Sequence, residues 1–353
     1  MSESFNTRKR NIIHRQLLAT ASAVALLGIG TVEARADDHP LVWIEANGQF
    51  AQSENGEDAF APPFLSASPF DAISHLGLEK GPHTVWNEGA KLSFLPPDSD
   101  WVFSASIQYG KNGQHAVREG HPTTAHFTKY NGRYSAYQKF DTQNTEQHMI
   151  LDFQAGKDFG LGMFGREGSS VFSLGVRFAQ FNSKGNTQIR SQPTNVNSSY
   201  AFHRFQALID TKRKFSGVGP SLSWDASANL IGNPSAGNIT LDWGLNGALL
   251  FGRQSVQGYR QVTNYYHYCT DGCFNQTVAY RHTAPLNRRH EVVVPDLGGF
   301  AGLSWRYPIA KVSIGYRADM FFGAVDGGID SVHREARGFY GPFASVSVGL
   351  GGP

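Results

Sequence analysis

Cysteine is nearly absent: Cys269 and Cys273 are the two cysteines in 353 residues. A disulfide-stapled scaffold is therefore excluded, and Thr270-Asp271-Gly272 between them leaves either one small loop bridge or two free thiols. Two thiols without an adjacent histidine pattern make a poor zinc site. Long apolar runs are also missing. Beyond residue 36 none approaches the ~20 residues that a transmembrane helix requires, which argues against an inner-membrane helical protein. Catalytic signatures are missing as well. No H-E-x-x-H pattern occurs among the 13 histidines, no G-x-S-x-G elbow is present, and Gly160, Gly162 and Gly165 do not open a helix of a βαβ unit. His115 and His121 flank Glu119 in a polar stretch that reads as solvated. His148 and Asp152 share one strand face four residues apart, too far for an unaided dyad. The expectation is a protein that is no enzyme and carries no metal or other cofactor.

A charge of one sign is lacking too, once the amino-terminal segment is set aside. Arg8, Lys9, Arg10 and Arg15 precede the apolar stretch Leu17–Ile29, and Ala34-Arg35-Ala36 offers an A-x-A cleavage site. Residues 1–36 are expected to be a signal peptide and residues 37–353 the mature domain. That segment holds five of the 31 Lys/Arg and two of the 29 Asp/Glu. The remainder has 26 against 27, a formal net of −1, so the pI of 8.4 gives no case for a nucleic-acid partner.

What the sequence has in quantity is period-two alternation, with 39 glycines and 12% aromatic residues. Successive side chains of a strand point to opposite faces. Trp101, Phe103, Ala105, Ile107 and Tyr109 alternate with Val102, Ser104, Ser106, Gln108 and Gly110. The same pattern runs through Ile239–Phe251 and Val312–Phe322. Weaker versions cover 41–51, 85–95, 147–157, 170–181, 217–230, 292–305 and 339–350. Several of these keep the period for ten or more residues, longer than the ~5–6 of an ordinary globular strand. The polar faces carry Lys91, Asp152, Arg177, Asp225, Asp242, Asp296, Arg317 and Asp319 among many Gly and Ser. Charges of both signs with small residues suit a hydrated, narrow lumen, although a soluble sandwich would show them as its solvent face. All six tryptophans lie in candidate strands. Trp86, Trp101, Trp224, Trp243 and Trp305 fall on the apolar face, several near strand ends where an indole meets the headgroup zone.

Connection lengths alternate. Long ones span about 52–84, 111–146, 182–216, 253–291 and 324–338; short ones span about 96–100, 158–169, 231–238 and 306–311. Residues 200–212 are read as part of the third long loop. The expected fold is all-β: an antiparallel transmembrane β-barrel of about ten strands, or about twelve if two more lie within loops. Its long loops are extracellular, and its short turns and amino terminus are periplasmic. Pro96-Pro97-Asp98-Ser99-Asp100 and Gly232-Asn233-Pro234-Ser235-Ala236-Gly237 have the chemistry of such turns.

Three segments carry a family resemblance: Phe215-Ser216-Gly217-Val218-Gly219-Pro220 leading into Ser221-Leu222-Ser223-Trp224, Leu174–Phe181, and Gly315-Tyr316-Arg317-Ala318-Asp319. Over roughly residues 145–350 the chain resembles the Legionella-type major outer membrane proteins. The resemblance implies a pore-forming β-barrel of a Gram-negative outer membrane. The chain ends Val348-Gly349-Leu350-Gly351-Gly352-Pro353, without the terminal aromatic that often addresses a last strand to the barrel assembly machinery.

Three functions remain open at this stage. A porin-like pore for small solutes or ions would use the lumen residues named above. The excess of Asp152, Asp225, Asp242, Asp296 and Asp319 over Lys91, Arg177 and Arg317 would then favour cations weakly. A surface-exposed structural or adhesin barrel would use its loops, with Tyr265-Tyr266-His267-Tyr268 beside Cys269 suited to contact. An outer-membrane enzyme is the third. Expected partners are outer-membrane lipid, the assembly machinery during biogenesis and, if it assembles, a second copy of the chain.

Overall fold

In the computed structural model the described residues are 41–54, 83–97, 99–112, 115–120, 124–127, 132–135, 139–160, 168–191, 202–233, 237–268, 276–327, 332 and 334–350. Residues 1–36, expected to be a signal peptide, and both cysteines lie outside them.

The strands in chain order are β1 (Val42–Glu54), β2 (His83–Phe94), β3 (Trp101–Asn112), β4 (His115–Gly120), β5 (Thr124–Phe127), β6 (Gly132–Ser135) and β7 (Lys139–Asp158). They continue with β8 (Gly168–Ser191), β9 (Phe202–Asn233), β10 (Gly237–Tyr268), β11 (Gln276–Arg306), β12 (Ala310–Asp326) and β13 (Arg334–Leu350). Ten of them close a ring in the order β1, β2, β3, β7, β8, β9, β10, β11, β12, β13 and back to β1, every neighbour antiparallel. Closure comes from β1 on β13, running from Val42 opposite Leu350 to Glu54 opposite Gly338. A closed ring leaves no unpaired edge, which is what a strand must achieve in lipid. The short β4, β5 and β6 stand outside the ring: β4 pairs the start of β7, and β5 pairs β6.

Alternation sets which face meets lipid. On β12 the outward series is Val312, Ile314, Tyr316 and Phe322, all exposed, while Ser313, Asp319 and Phe321 are buried inside. The outward series on β10 includes Ile239, Leu245, Leu249 and Phe251, and on β8 Phe172, Leu174 and Val176, again all exposed. An apolar run of about ten residues on tilted strands makes a band ~25 Å tall, the thickness of an outer-membrane hydrocarbon layer. At its periplasmic edge Trp305 stacks on Tyr307 with centroids 5.4 Å apart, and Phe172 stacks on Trp224 at 5.6 Å. Trp224 Nε1 donates to Ser170 Oγ at 2.9 Å, so this indole buries apolar area without stranding its N–H.

Two expectations need correction. Residues 202–212 are not loop; they are the first third of β9, and they add no extra crossing. The long connections 182–216 and 253–291 are likewise mostly strand, because β8, β9, β10 and β11 continue past the apolar band. β9 and β10 are 32 residues each and β11 is 31. The roughly 17 residues of β10 beyond Phe251 carry it roughly 40 Å outward at barrel tilt. Histidines assigned to loops follow suit: His267 is on β10, His282 and His290 on β11, His115 on β4 and His126 on β5. Outside the membrane both strand faces are polar, as in Lys212-Arg213-Lys214, so hydropathy loses its period while the ladder continues.

Candidate functional site

The interior is the site, and it has two levels. The lower, periplasmic level is a cavity of about 260 Å³ lined by polar and charged side chains. Of the residues named from sequence, Lys91, Asp152, Arg177, Asp225, Asp242, Arg317 and Asp319 all line it. Asp296 is buried behind Arg177.

The charges are paired. Arg177 on β8 donates from Nε to Asp152 Oδ1 at 2.7 Å and from Nη2 to Asp152 Oδ2 at 3.1 Å, a two-point contact with the adjacent strand β7. Its Nη1 donates to Asn246 Oδ1 on β10 at 2.8 Å and to Asp296 on β11. One guanidinium thus ties four strands, as its planar fork allows and an ammonium could not. Lys91 on β2 lies 3.6 Å from Asp225 on β9, across the lumen, with both side chains over one-third exposed. Asp242 accepts from Lys311 at 2.5 Å, from Ser304 Oγ at 2.6 Å and from Thr240 Oγ1 at 2.8 Å. Arg317 rests its guanidinium 5.9 and 5.6 Å from the ring centroids of Phe300 and Phe343, a cation–π arrangement. Lys311 escaped the sequence reading, although it shares the inward parity of Ser313, Arg317 and Asp319.

The upper level is built around an apolar cluster, and the sequence reading missed it. Phe181, Phe215, Phe321, Phe339, Leu250, Val292 and Val294 form one cluster inside the barrel. Phe181 meets Phe321 edge-on with centroids 4.8 Å apart, Phe215 at 5.8 Å and Phe339 at 6.0 Å. In the ring β8 and β13 are five places apart in either direction, so the Phe181–Phe339 contact runs straight across the lumen. His148 on β7 lies against Phe339 with centroids 3.9 Å apart. Every ring strand contributes: Ala51, Val85, Asn112, His148, Phe181, Phe215, Leu250, Val294, Phe321 and Phe339 are each at most 4% exposed.

A local backbone device completes this seal. Register slips between Phe321 and Val325 on β12, and Gly323 there has φ of 70°, a conformation that glycine adopts without a Cβ penalty. Ala324, Val325, Asp326 and Gly327 are consecutively buried after it, so this end of β12 turns inward. Gln254 on β10 donates to the Gly323 carbonyl at 2.6 Å, and Arg213 on β9 donates to that of Gly327 at 3.2 Å. Arg288 Nη2 lies 3.0 Å from Asp326, and Arg337 Nε lies 2.9 Å from Glu146. Arg288 and Asp326 join the adjacent strands β11 and β12, while the other three contacts reach past ring neighbours.

Fold and site together define a class: a ten-stranded outer-membrane β-barrel with paired charges and a phenylalanine cluster inside it. The family described as Legionella pneumophila major outer membrane protein precursor is matched over residues 89–350, and the chain belongs to it. No curated protein matches. Similar solved structures include the transport unit of the autotransporter AIDA-I from Escherichia coli, at 9% identity and TM-score 0.34, with 92% of this chain and 94% of that one covered. The translocator domain of autotransporter NalP from Neisseria meningitidis has 8% identity and TM-score 0.32, with 98% and 97% covered. The P. putida toluene transporter TodX has 6% identity and TM-score 0.26, with 90% and 91% covered.

Proposed function

We propose that this outer-membrane barrel is closed across its lumen at rest and works through the β-structure and loops that stand outside the membrane, as a structural or adhesive surface protein. The observation that carries this reading is the contact of Phe181 with Phe339 on the opposite wall, among inward side chains that are each almost wholly buried. The reading assigns no enzymatic role. The test has two arms. Refolded protein in a planar bilayer should give no stepwise conductance. Shortening the β10–β11 hairpin from Gln257 to Asn287 should abolish binding to host cells or envelope material while the heat-modifiable gel shift of a folded barrel persists. Large, stable conductance steps from the intact chain would overturn the closed reading.

A second reading, a porin-like pore for small ions, is favoured by the charged cavity beneath the aromatic level. It requires that level to part. Its cation preference would rest on the acids Asp152, Asp225, Asp242, Asp296 and Asp319; Lys311 joins Lys91, Arg177 and Arg317 on the other side and weakens it. Reversal potentials of whatever conductance occurs decide this: anion selectivity would remove the preference.

A further inference from the structure

The outward face changes character abruptly above the apolar band on one side of the barrel. Below the change, β9 shows Val218 and Leu222, β10 shows Leu249 and Phe251, and β11 shows Val293 and Leu297. Above it the same strands and β8 present Lys184, Lys212, Lys214, Arg253 and Arg289, all exposed. Register makes them one patch. Lys184 faces Lys212 directly across β8 and β9. Lys214 is one step diagonal to Lys184 and to Arg253, because it pairs Asn182 on one side and Ser255 on the other. Ser255 in turn pairs Arg289. Directly opposite residues have Cβ atoms ~5 Å apart and diagonal ones ~7–8 Å. Among the described residues of β8–β11 the acids on this outward face are Glu291, 3.6 Å from Arg253, and Asp210, opposite Asn186 and Tyr259. Five cations thus stand against two anions.

Directly opposed like charges destabilise a sheet, so the Lys184–Lys212 pairing calls for an anion between them. Its height selects which. The patch begins within one or two outward positions of the last lipid-facing side chain, where the headgroups of the outer leaflet lie, and basic residues at that depth attract anionic lipid. Spacings of ~5–8 Å let two or three cations close on one phosphate group, each by charge-assisted hydrogen bonds.

We infer that Lys184, Lys212, Lys214, Arg253 and Arg289 form a binding surface for the phosphate groups of the outer-leaflet glycolipid. The surface depends on the barrel's place in the membrane and not on whether its lumen conducts. It would anchor the barrel in depth and rotation, with the long β9–β11 extension held at one fixed height above the lipid.

The test titrates refolded, detergent-solubilised protein with diphosphoryl lipid A, following tryptophan fluorescence, in parallel with dephosphorylated lipid A and phosphatidylglycerol. Diphosphoryl lipid A should bind, and the dephosphorylated form should bind far more weakly. The triple variant Lys184→Gln/Lys212→Gln/Lys214→Gln should lose roughly 10- to 100-fold in affinity while keeping its heat-modifiable gel shift. Lys157→Gln, at the periplasmic end, should bind as the parent does. Should the triple variant fail to fold, Glu291→Gln gives an independent reading, since removing that acid should tighten binding. Equal affinity for the phosphorylated and dephosphorylated lipids, equal affinity for phosphatidylglycerol, or an unchanged triple variant would each overturn the assignment.

Discussion

The two levels of the lumen are built on the same ten strands with the same inward parity, yet they solve opposite problems. Phe181 lies four positions along β8 from Arg177, and Phe321 two positions along β12 from Asp319. Below, charges meet across the barrel with solvent beside them. Above, phenylalanines meet across it without any. An inward face is therefore not a lumen-facing face in the porin sense at every height. Where opposing side chains are large enough to touch, the barrel interior becomes an ordinary packed core.

The largest expected effect attacks the upper level. Replacing Phe181 and Phe339 together by alanine removes two rings that touch across the lumen. The loss should be about 3–5 kcal/mol for each before coupling, read as a lower urea midpoint of the gel shift. The same variant should gain conductance in a planar bilayer; a still-silent barrel would mean the seal does not depend on these rings. Arg177→Met comes next. It leaves Asp152 and Asp296 in a buried site without their cation, a change that costs about 3–5 kcal/mol, and unfolding in urea should show it. Stability near the parent's would mean that water already compensates those carboxylates.

Gly323→Ala is smaller. A Cβ finds room there, its nearest neighbours being Arg334 side-chain atoms at 3.6 and 3.8 Å. The positive φ alone should cost about 1–2 kcal/mol, visible as a shift of the same midpoint. Lys91→Met should be smallest. It breaks a partly exposed pair worth about 0–1 kcal/mol, so its unfolding midpoint should barely move. A cost near that of Arg177→Met would erase the distinction drawn between the buried and the hydrated charges.

Much of the membrane-spanning part was legible because lipid outside and polar groups inside impose a period of two. Trp101–Gly110, Ile239–Phe251 and Val312–Phe322 could be assigned to β3, β10 and β12, and the eight charged residues named from their parity all lie inside. The extensions of β8–β11 were not legible. With polar side chains on both faces, Lys212-Arg213-Lys214 has no hydropathy period to read, although Arg213 is buried inside. The aromatic level was half legible. Phe181 shares the parity of Arg177, and Phe321 that of Asp319, so their inward direction could have been read.

Sequence alone determined which segments alternate as strands, which face of each is apolar, and which charges lie on the other face, because those properties belong to single strands and repeat every two residues. Tertiary structure alone decided that phenylalanines meet across the lumen. Phe181 and Phe339, or Gln254 and the Gly323 carbonyl, come together only when ring closure sets the barrel's width and stagger, and no local pattern in the chain encodes the distance across it.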